Sequence, residues 1–262
     1  IIESSKRLLD SIGAWSEIGR GNIGHYKKIE VWDSASEGYL SFNTPLGYCG
    51  QMGWIVDESL LHDVLNATTT NIHRYWSTVE LESNNEAGVK MLLPSYGKLF
   101  SQLVVVADGK NPTIQDDLGL SLRSVSYDQI GLVTNVSTET PHTNTARQWF
   151  SDSGILALLP KHSQHECSVV FSVRDSLGKQ ILTWDIEAIS NFVTEISQGR
   201  LGKVRLTSSP SFFDLSKGSA DSWFKGRCVL VGSSAHVLHP LAGQGLNLSL
   251  MDAASLVECM SL

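Results

Sequence analysis

Residues 232–247 read Gly-Ser-Ser-Ala-His-Val-Leu-His-Pro-Leu-Ala-Gly-Gln-Gly-Leu-Asn. They follow the wholly apolar run Cys228-Val229-Leu230-Val231, which reads as a buried strand closed by Gly232, and they lead into a helix that starts near Leu246 and runs to the chain end. Strand, glycine-bearing loop and helix in that order form the unit at which open α/β sheets collect ligands, outside the carboxyl ends of their strands. Gly243 and Gly245 let the backbone approach a ligand with no Cβ in the way. The amides at the start of the following helix favour an anionic or electron-rich group. A Gly-x-Gly pair alone is also what a plain strand-to-helix turn carries, so the pair has to be weighed with its surroundings.

Outward from this stretch, Leu103-Val104-Val105-Val106-Ala107 is a second run apolar on both faces, ending at Asp108-Gly109. The middle of the chain differs. Ile130–Val136, Arg147–Phe150, Gly154–Leu159 and Cys167–Val173 read as short strands separated by polar turns, which predicts an antiparallel sheet. Ile186, Ile189, Phe192, Val193 and Ile196 mark one amphipathic helix. Nearer the start, Ile29–Trp32 and Tyr39–Phe42 are strands about a polar turn, and Asp57 caps a helix carrying Leu60, Leu61, Val64 and Leu65. The opening helix, with Leu8, Leu9, Ile12, Trp15 and Ile18 on one side, is expected to be capped by Ser4 or Ser5 and weakened at Gly13. The fold class is therefore mixed α/β: a parallel-sheet domain interrupted by an antiparallel-sheet domain.

Composition narrows the function. The 262 residues carry 20 basic and 27 acidic side chains, a formal charge of −7, with 42% apolar and 18% charged residues. That suits a globular protein and argues against broad binding to nucleic acid or anionic membrane, both of which want clustered positive charge. No run approaches the roughly 20 apolar residues of a membrane-spanning helix. Cys49, Cys167, Cys228 and Cys259 are far apart and read as reduced thiols. His162, His165 and Cys167 make a short His-x-x-His-x-Cys cluster, but it lacks a fourth ligand, so no metal is assigned.

The stretch from Ala235 to Asn247 resembles the second flavin-contacting motif of the flavin-dependent aromatic hydroxylases of the p-hydroxybenzoate hydroxylase type, and above all the ubiquinone-biosynthesis hydroxylases. In that family an apolar strand and Gly-Asp lead to Ala-Ala-His and then His-Pro-Leu-Ala-Gly-Gln-Gly-Leu-Asn. Ala235, His236, His239, Pro240, Leu241, Ala242, Gly243, Gln244, Gly245, Leu246 and Asn247 stand in those places. Leu103–Gly109 resembles the family's strand into Asp-Gly; Arg147–Phe150 with Gly154–Pro160 resembles strands of its substrate domain; Ile29–Asp33 and Met52–Val56 are similar to stretches of the ubiquinone branch.

The resemblance implies an FAD-binding, Rossmann-like domain over 1–28, 78–125 and 226–262, and a substrate domain over 29–77 and 126–225. It implies FAD as cofactor, NAD(P)H as reductant, and hydroxylation of a prenylated phenol by O₂. It assigns flavin contacts to Asp108, Gly109, Gly232, Ser233, Pro240, Gly243, Gln244, Gly245, Leu246 and Asn247, with His236 and Pro240 as candidates nearest the chemistry. Its partners would be the prenylated quinone precursor and other ubiquinone-biosynthesis proteins. Its place would be the cytoplasm, or the mitochondrial matrix, with peripheral contact to the inner membrane.

Departures stand beside the likeness. The Gly-x-Gly-x-x-Gly unit with which the family opens is not among the 262 residues, and the chain is expected to be a fragment or a processed form. Ser233 replaces the Asp of Gly-Asp, Pro112 and Gln115 replace a Ser and an Arg after Asp-Gly, and Asp214 replaces a Pro. These changes motivate an alternative, a non-catalytic homologue that binds a quinone intermediate or a partner protein. Gly232–His236 also has the outline of a hydrolase elbow with Ser234 as nucleophile, but His236 stands where the second glycine belongs.

Overall fold

Period-two alternation through the middle of the chain builds the largest sheet of the computed structural model, which describes residues 1–34, 36–44, 50–109, 112–240 and 243–261, Pro112 by its backbone alone. Cys49, Leu241 and Ala242 lie outside the described residues. The chain is mixed α/β and divides into two units: Ile1–Thr68 with Ser126–Leu215, and Thr69–Val125 with Ser216–Leu262.

In the first unit, strand Leu122–Thr138 from Ser126 onward, then Glu166–Arg174, Gly154–Pro160 and Thr145–Ser151, pair antiparallel in that spatial order. Lys28–Asp33 then joins parallel to Thr145–Ser151, and Tyr39–Asn43 follows antiparallel. The register puts alternate residues on opposite faces. On one face Leu132, Trp149, Leu156, Leu158, Val169 and Phe171 are fully buried, in one cluster with Ile189 and Val193 of helix Ile186–Ile196. That helix forms because its apolar residues recur at helical spacing and because Asp185 caps it, accepting the Ala188 amide at 2.7 Å.

The other face is apolar as well, yet only half covered. Ile29, Val31, Val133, Ile155, Ala157 and Val170 are half-buried there, while Leu40 is 59% and Phe42 50% exposed. An antiparallel sheet packs one face on its core and leaves the other to solvent or a ligand, and here the second face is greasy.

Residues 1–28 fall in this unit, not with 78–125 and 226–262. Ile1 pairs with Trp54 in both directions, its amine donating at 2.7 Å and its carbonyl accepting at 2.9 Å. Strand Ile23–Tyr26 pairs with Gly53–Val56. Residues 69–77 and 216–225 likewise fall in the second unit. The opening helix differs too: it spans Glu3–Ser11 with Ile2, not a serine, at its N-cap, and Ser5 is wholly buried inside it. Gly13, at φ +76°, ends that helix and starts a separate turn, Ala14–Glu17. Only a glycine adopts that backbone cheaply, so it breaks the helix outright.

In the second unit, Val104–Val106 and Cys228–Leu230 pair parallel, as the two apolar runs predict, and Phe224–Lys225 adds antiparallel. Glu80–Asn85, Gly88–Leu93 and Gly97–Ser101 form a separate three-stranded meander. Val89, Met91, Leu93, Val106, Leu118, Cys228 and Leu230 make this unit's own core. Val106 is buried but Val105 is 43% exposed, so one face of the parallel pair stays open. Helix Gln244–Met260 begins two residues earlier than expected.

Candidate flavin-facing site

Parallel pairing aligns the carboxyl ends of Val104–Val106 and Cys228–Leu230, and the chain leaves both ends in adjacent loops. The Val231 amide adds one more link, donating to Val106 O at 3.0 Å. Beyond it, Asp108-Gly109 and Gly232–Ser234 are tied by Ser234, whose hydroxyl lies 3.1 Å from Asp108 Oδ1 and 3.0 Å from Gly109 O. Gln115 Nε2 donates to the Ser234 carbonyl at 3.1 Å and is 3% exposed.

Neighbouring serines thus have opposite surroundings. Ser233, in the place of the family's Asp, is exposed at the end of the strand, whereas Ser234 is fully buried. A buried hydroxyl engaged with Asp108 and Gly109 offers no nucleophile to a substrate, and the hydrolase reading fails on that ground. Gln115 is likewise a clamp on the loop.

Gly232 turns the chain at φ +60°, and a Cβ there would meet Ser249 Oγ at 3.0 Å, so the helix packs directly on this turn. Asp252, one turn further along the helix, accepts the Gly232 amide at 2.8 Å and His236 Nε2 at 2.6 Å, both on Oδ2. An ionised carboxylate only accepts, so this contact places the proton on Nε2. His236 is 7% exposed, and its ring lies 5.8 Å from that of Trp223. His236 is therefore a bonded member of the loop. Burial pushes the neighbouring His239 below the ordinary histidine value.

Pro240 accepts the Gly243 amide at 3.0 Å, and Gly243 caps the helix at φ +57°. Asn247 is buried and donates from Nδ2 to Gly243 O at 3.1 Å, holding the turn against the helix. Gly243, Gln244, Gly245 and Leu246 are all exposed, and a Cβ on either glycine would meet nothing within 4 Å. The first amides of an α-helix have no acceptor within the helix. A bare, outward-facing backbone carrying amide donors is what a flat, electron-rich ring edge requires, and these residues fit the pyrimidine end of a flavin. Asp252, Trp223 and the clamp role of Gln115 escaped the sequence reading, since nothing in the local pattern pairs residue 236 with residue 252.

The His-x-x-His-x-Cys cluster does not converge. Burial pushes the Cys167 thiol up to about 12, His165 lies with Nδ1 3.0 Å from Thr138 O, and His162 is exposed. Among the described residues no three metal-ligating side chains stand together, and no helix is long and apolar enough to cross a membrane. In the first unit a cleft of about 660 Å³ is lined by Asn22, Asp57, Lys161, His162, Ser168 and Ser208 among others. Ile55, Val56, Leu60 and Val133 line it as well, so polar and apolar groups share its wall.

Known proteins resemble this chain over almost its whole length. A family model described as FAD binding domain matches residues 7–261. The ubiquinone hydroxylase UbiL of Rhodospirillum rubrum is 30% identical over 260 residues, covering 97% of this chain and 59% of that protein. The mitochondrial ubiquinone biosynthesis monooxygenase COQ6 of Danio rerio is 25% identical over 308 residues, covering 100% of this chain and 63% of that protein. The chain thus spans about three fifths of the length of these relatives. Among solved structures, PqsL, a probable FAD-dependent monooxygenase from Pseudomonas aeruginosa, superposes with a TM-score of 0.78 at 16% identity, over 100% of this chain and 75% of that one. HpxO of Klebsiella pneumoniae, complexed with FAD and uric acid, gives a TM-score of 0.69 at 13% identity, over 97% and 67%. These structural likenesses concern the fold.

Proposed function

The chain belongs to the FAD binding domain family, and on that premise we propose that it is the flavin-facing part of a monooxygenase that hydroxylates the ring of a prenylated ubiquinone precursor, with NAD(P)H as reductant and O₂ as oxidant. The observation that carries this reading is the exposed helix start at Gly243–Leu246, beyond the carboxyl ends of two parallel strands. Its likeness to the ubiquinone hydroxylase UbiL and the ubiquinone biosynthesis monooxygenase COQ6 supports the ubiquinone assignment.

Bound FAD would supply the redox and oxygen chemistry. The chain's own part is electrostatic and positional. The amides of Gln244, Gly245 and Leu246 would donate to the ring's pyrimidine edge, where the positive end of the helix dipole favours negative charge. Gly109, Gly232, Ser233 and the clamped Asp108 would line the strand ends beside it, with Pro240 and Asn247 shaping the turn. The apolar sheet face of the first unit, with Val31, Leu40, Phe42 and Val170, suits a prenyl tail, which would displace water from it. A substrate that greasy resides in a bilayer, so work at an inner-membrane surface accords with this reading.

Titration of FAD followed by fluorescence quenching tests the proposal. Saturable binding in the micromolar range, about −8 kcal/mol, followed by NAD(P)H- and O₂-dependent hydroxylation of a prenylated phenol, is expected. Absence of quenching would count against it. The second reading, a non-catalytic homologue binding a quinone intermediate or a partner protein, is favoured by Gln115, which is engaged with Ser234 O where the related hydroxylases carry an arginine. It predicts quinone binding without NAD(P)H oxidation.

A further inference from the structure

One carboxylate oxygen holds together the two halves of the candidate site. Oδ2 of Asp252 accepts the Gly232 amide at 2.8 Å and His236 Nε2 at 2.6 Å. Gly232 begins the loop that leaves the buried strand, His236 lies in the middle of that loop, and Asp252 sits on the helix whose first turn offers the exposed amides. The Asp252 side chain is 13% exposed. A carboxylate this little exposed is costly unless it is hydrogen-bonded, and the two donors on Oδ2 offset that cost.

Other contacts act along the same line. Ser249, three residues before Asp252 and on the same side of the helix, packs against the Gly232 turn. The Trp223 ring stands beside that of His236, tilted by 57° at 5.8 Å. His236 in turn pairs with Ser219 across a short antiparallel ladder, which ties the loop to strand Ser211–Ala220. Through Asp252 the helix is fixed along its axis and in rotation relative to the strand end.

We infer that Asp252 is a positioning residue for flavin binding: through His236 and the Gly232 amide it sets where the Gln244–Leu246 amides stand relative to the strand ends. The inference rests on the flavin reading for its purpose, but not for its physical content. It distinguishes charge from geometry, because both bonds converge on a single oxygen. An asparagine with its carbonyl oxygen in the place of Oδ2 keeps both acceptor contacts and loses only the charge. Alanine loses both.

The test compares Asp252→Ala, Asp252→Asn and His236→Ala in the full chain by residue-resolved amide hydrogen exchange without flavin, then by FAD titration. Asp252→Ala is expected to speed exchange at Gly232 and at residues 247–250, the first amides of the helix with an acceptor inside it, by at least about tenfold, the fold-change of losing one of the two hydrogen bonds on that oxygen, while strand Gly88–Leu93 keeps its protection. FAD affinity should fall by a similar factor. Asp252→Asn should stay within about threefold of the parent on both measures. His236→Ala should loosen residues 235–238 and leave the Gly232 amide protected. Parent-like exchange in Asp252→Ala would overturn the inference, and so would loosening spread uniformly into Gly88–Leu93, or an Asn variant as impaired as the Ala variant. If Asp252→Ala does not fold, the Asn and His236 variants decide it. A parent chain that does not bind FAD counts against the proposed function, while the exchange pattern still decides the role of Asp252.

Discussion

Ser234 Oγ lies 3.1 Å from Asp108 Oδ1, so the loops leaving two parallel strands are joined by a hydroxyl with no exposure to solvent. Its neighbour Ser233 is exposed and sits where the related hydroxylases carry an aspartate. The pair separates a structural clamp from a surface-facing group within two consecutive residues.

Ser234→Ala is expected to lower unfolding free energy by about 1–2 kcal/mol, because Gly109 O and Asp108 lose a donor and part of the shortfall is made up by water at the exposed Asp108. Ser233→Ala should stay within about 0.5 kcal/mol. Gln115→Ala, which strips the Ser234 carbonyl and opens a buried void, should cost about 2 kcal/mol. Urea denaturation midpoints at constant slope read all three.

His142 supplies a pH dependence. It is fully buried; Nδ1 accepts the Asn144 amide at 3.1 Å and Nε2 faces Ser163 O at 2.9 Å, which suits the neutral ring. Burial, the largest influence, holds its pKa below the ordinary 6.5, and nearby Arg147 adds to this. The unfolded chain therefore takes up the proton first on acidification. Stability contributed by neutral His142 is present above pH 6.5 and is lost as pH falls towards the folded value, with a slope of up to about 1.4 kcal/mol per pH unit. His25 and His239 are lowered in the same direction. A pH series of denaturation curves should show this decline, with a shallower slope in His142→Gln.

Cys167 acts at the other end of the scale. Its thiol is pushed by burial from 9.0 to about 12, so the native state keeps its proton where the unfolded state does not, and stability should fall as pH rises above 9. Peptide-resolved alkylation at pH 8 should label the exposed Cys259 rapidly and leave Cys167 unmodified until denaturant is added. Rapid native labelling of Cys167 would contradict its placement.

Trp149 and Trp32 stack at 5.1 Å with planes 16° apart, and Trp149 Nε1 is buried with no hydrogen-bond partner. Trp149→Ala should cost about 3–5 kcal/mol, as large core truncations do. Trp149→Phe should cost under about 1.5 kcal/mol, since the lost indole N–H made no bond. Thermal melts of the two variants would separate packing from polarity.

How much was legible beforehand follows from the range of each interaction. Strands, the two apolar parallel runs and helix Ile186–Ile196 were readable because side-chain periodicity is written in neighbouring residues. The glycine-bearing turn was readable because Gly243 and Gly245 act on their own backbone. Gly13 shows the limit: its composition predicted a weakened helix, and its left-handed conformation made a break. The placement of residues 1–28 depended on Ile1 reaching Trp54, fifty-three positions away.

The sequence by itself determined the alternation of elements and the chemistry available at the strand ends, since both rest on local backbone preference and residue type. Tertiary structure alone decided that Ser234 is buried and Ser233 is not, that one apolar sheet face is covered and the other open, and that Asp252 meets both His236 and Gly232. Those outcomes depend on which distant segments the folded chain brings within hydrogen-bond reach, and no periodicity along the chain records that.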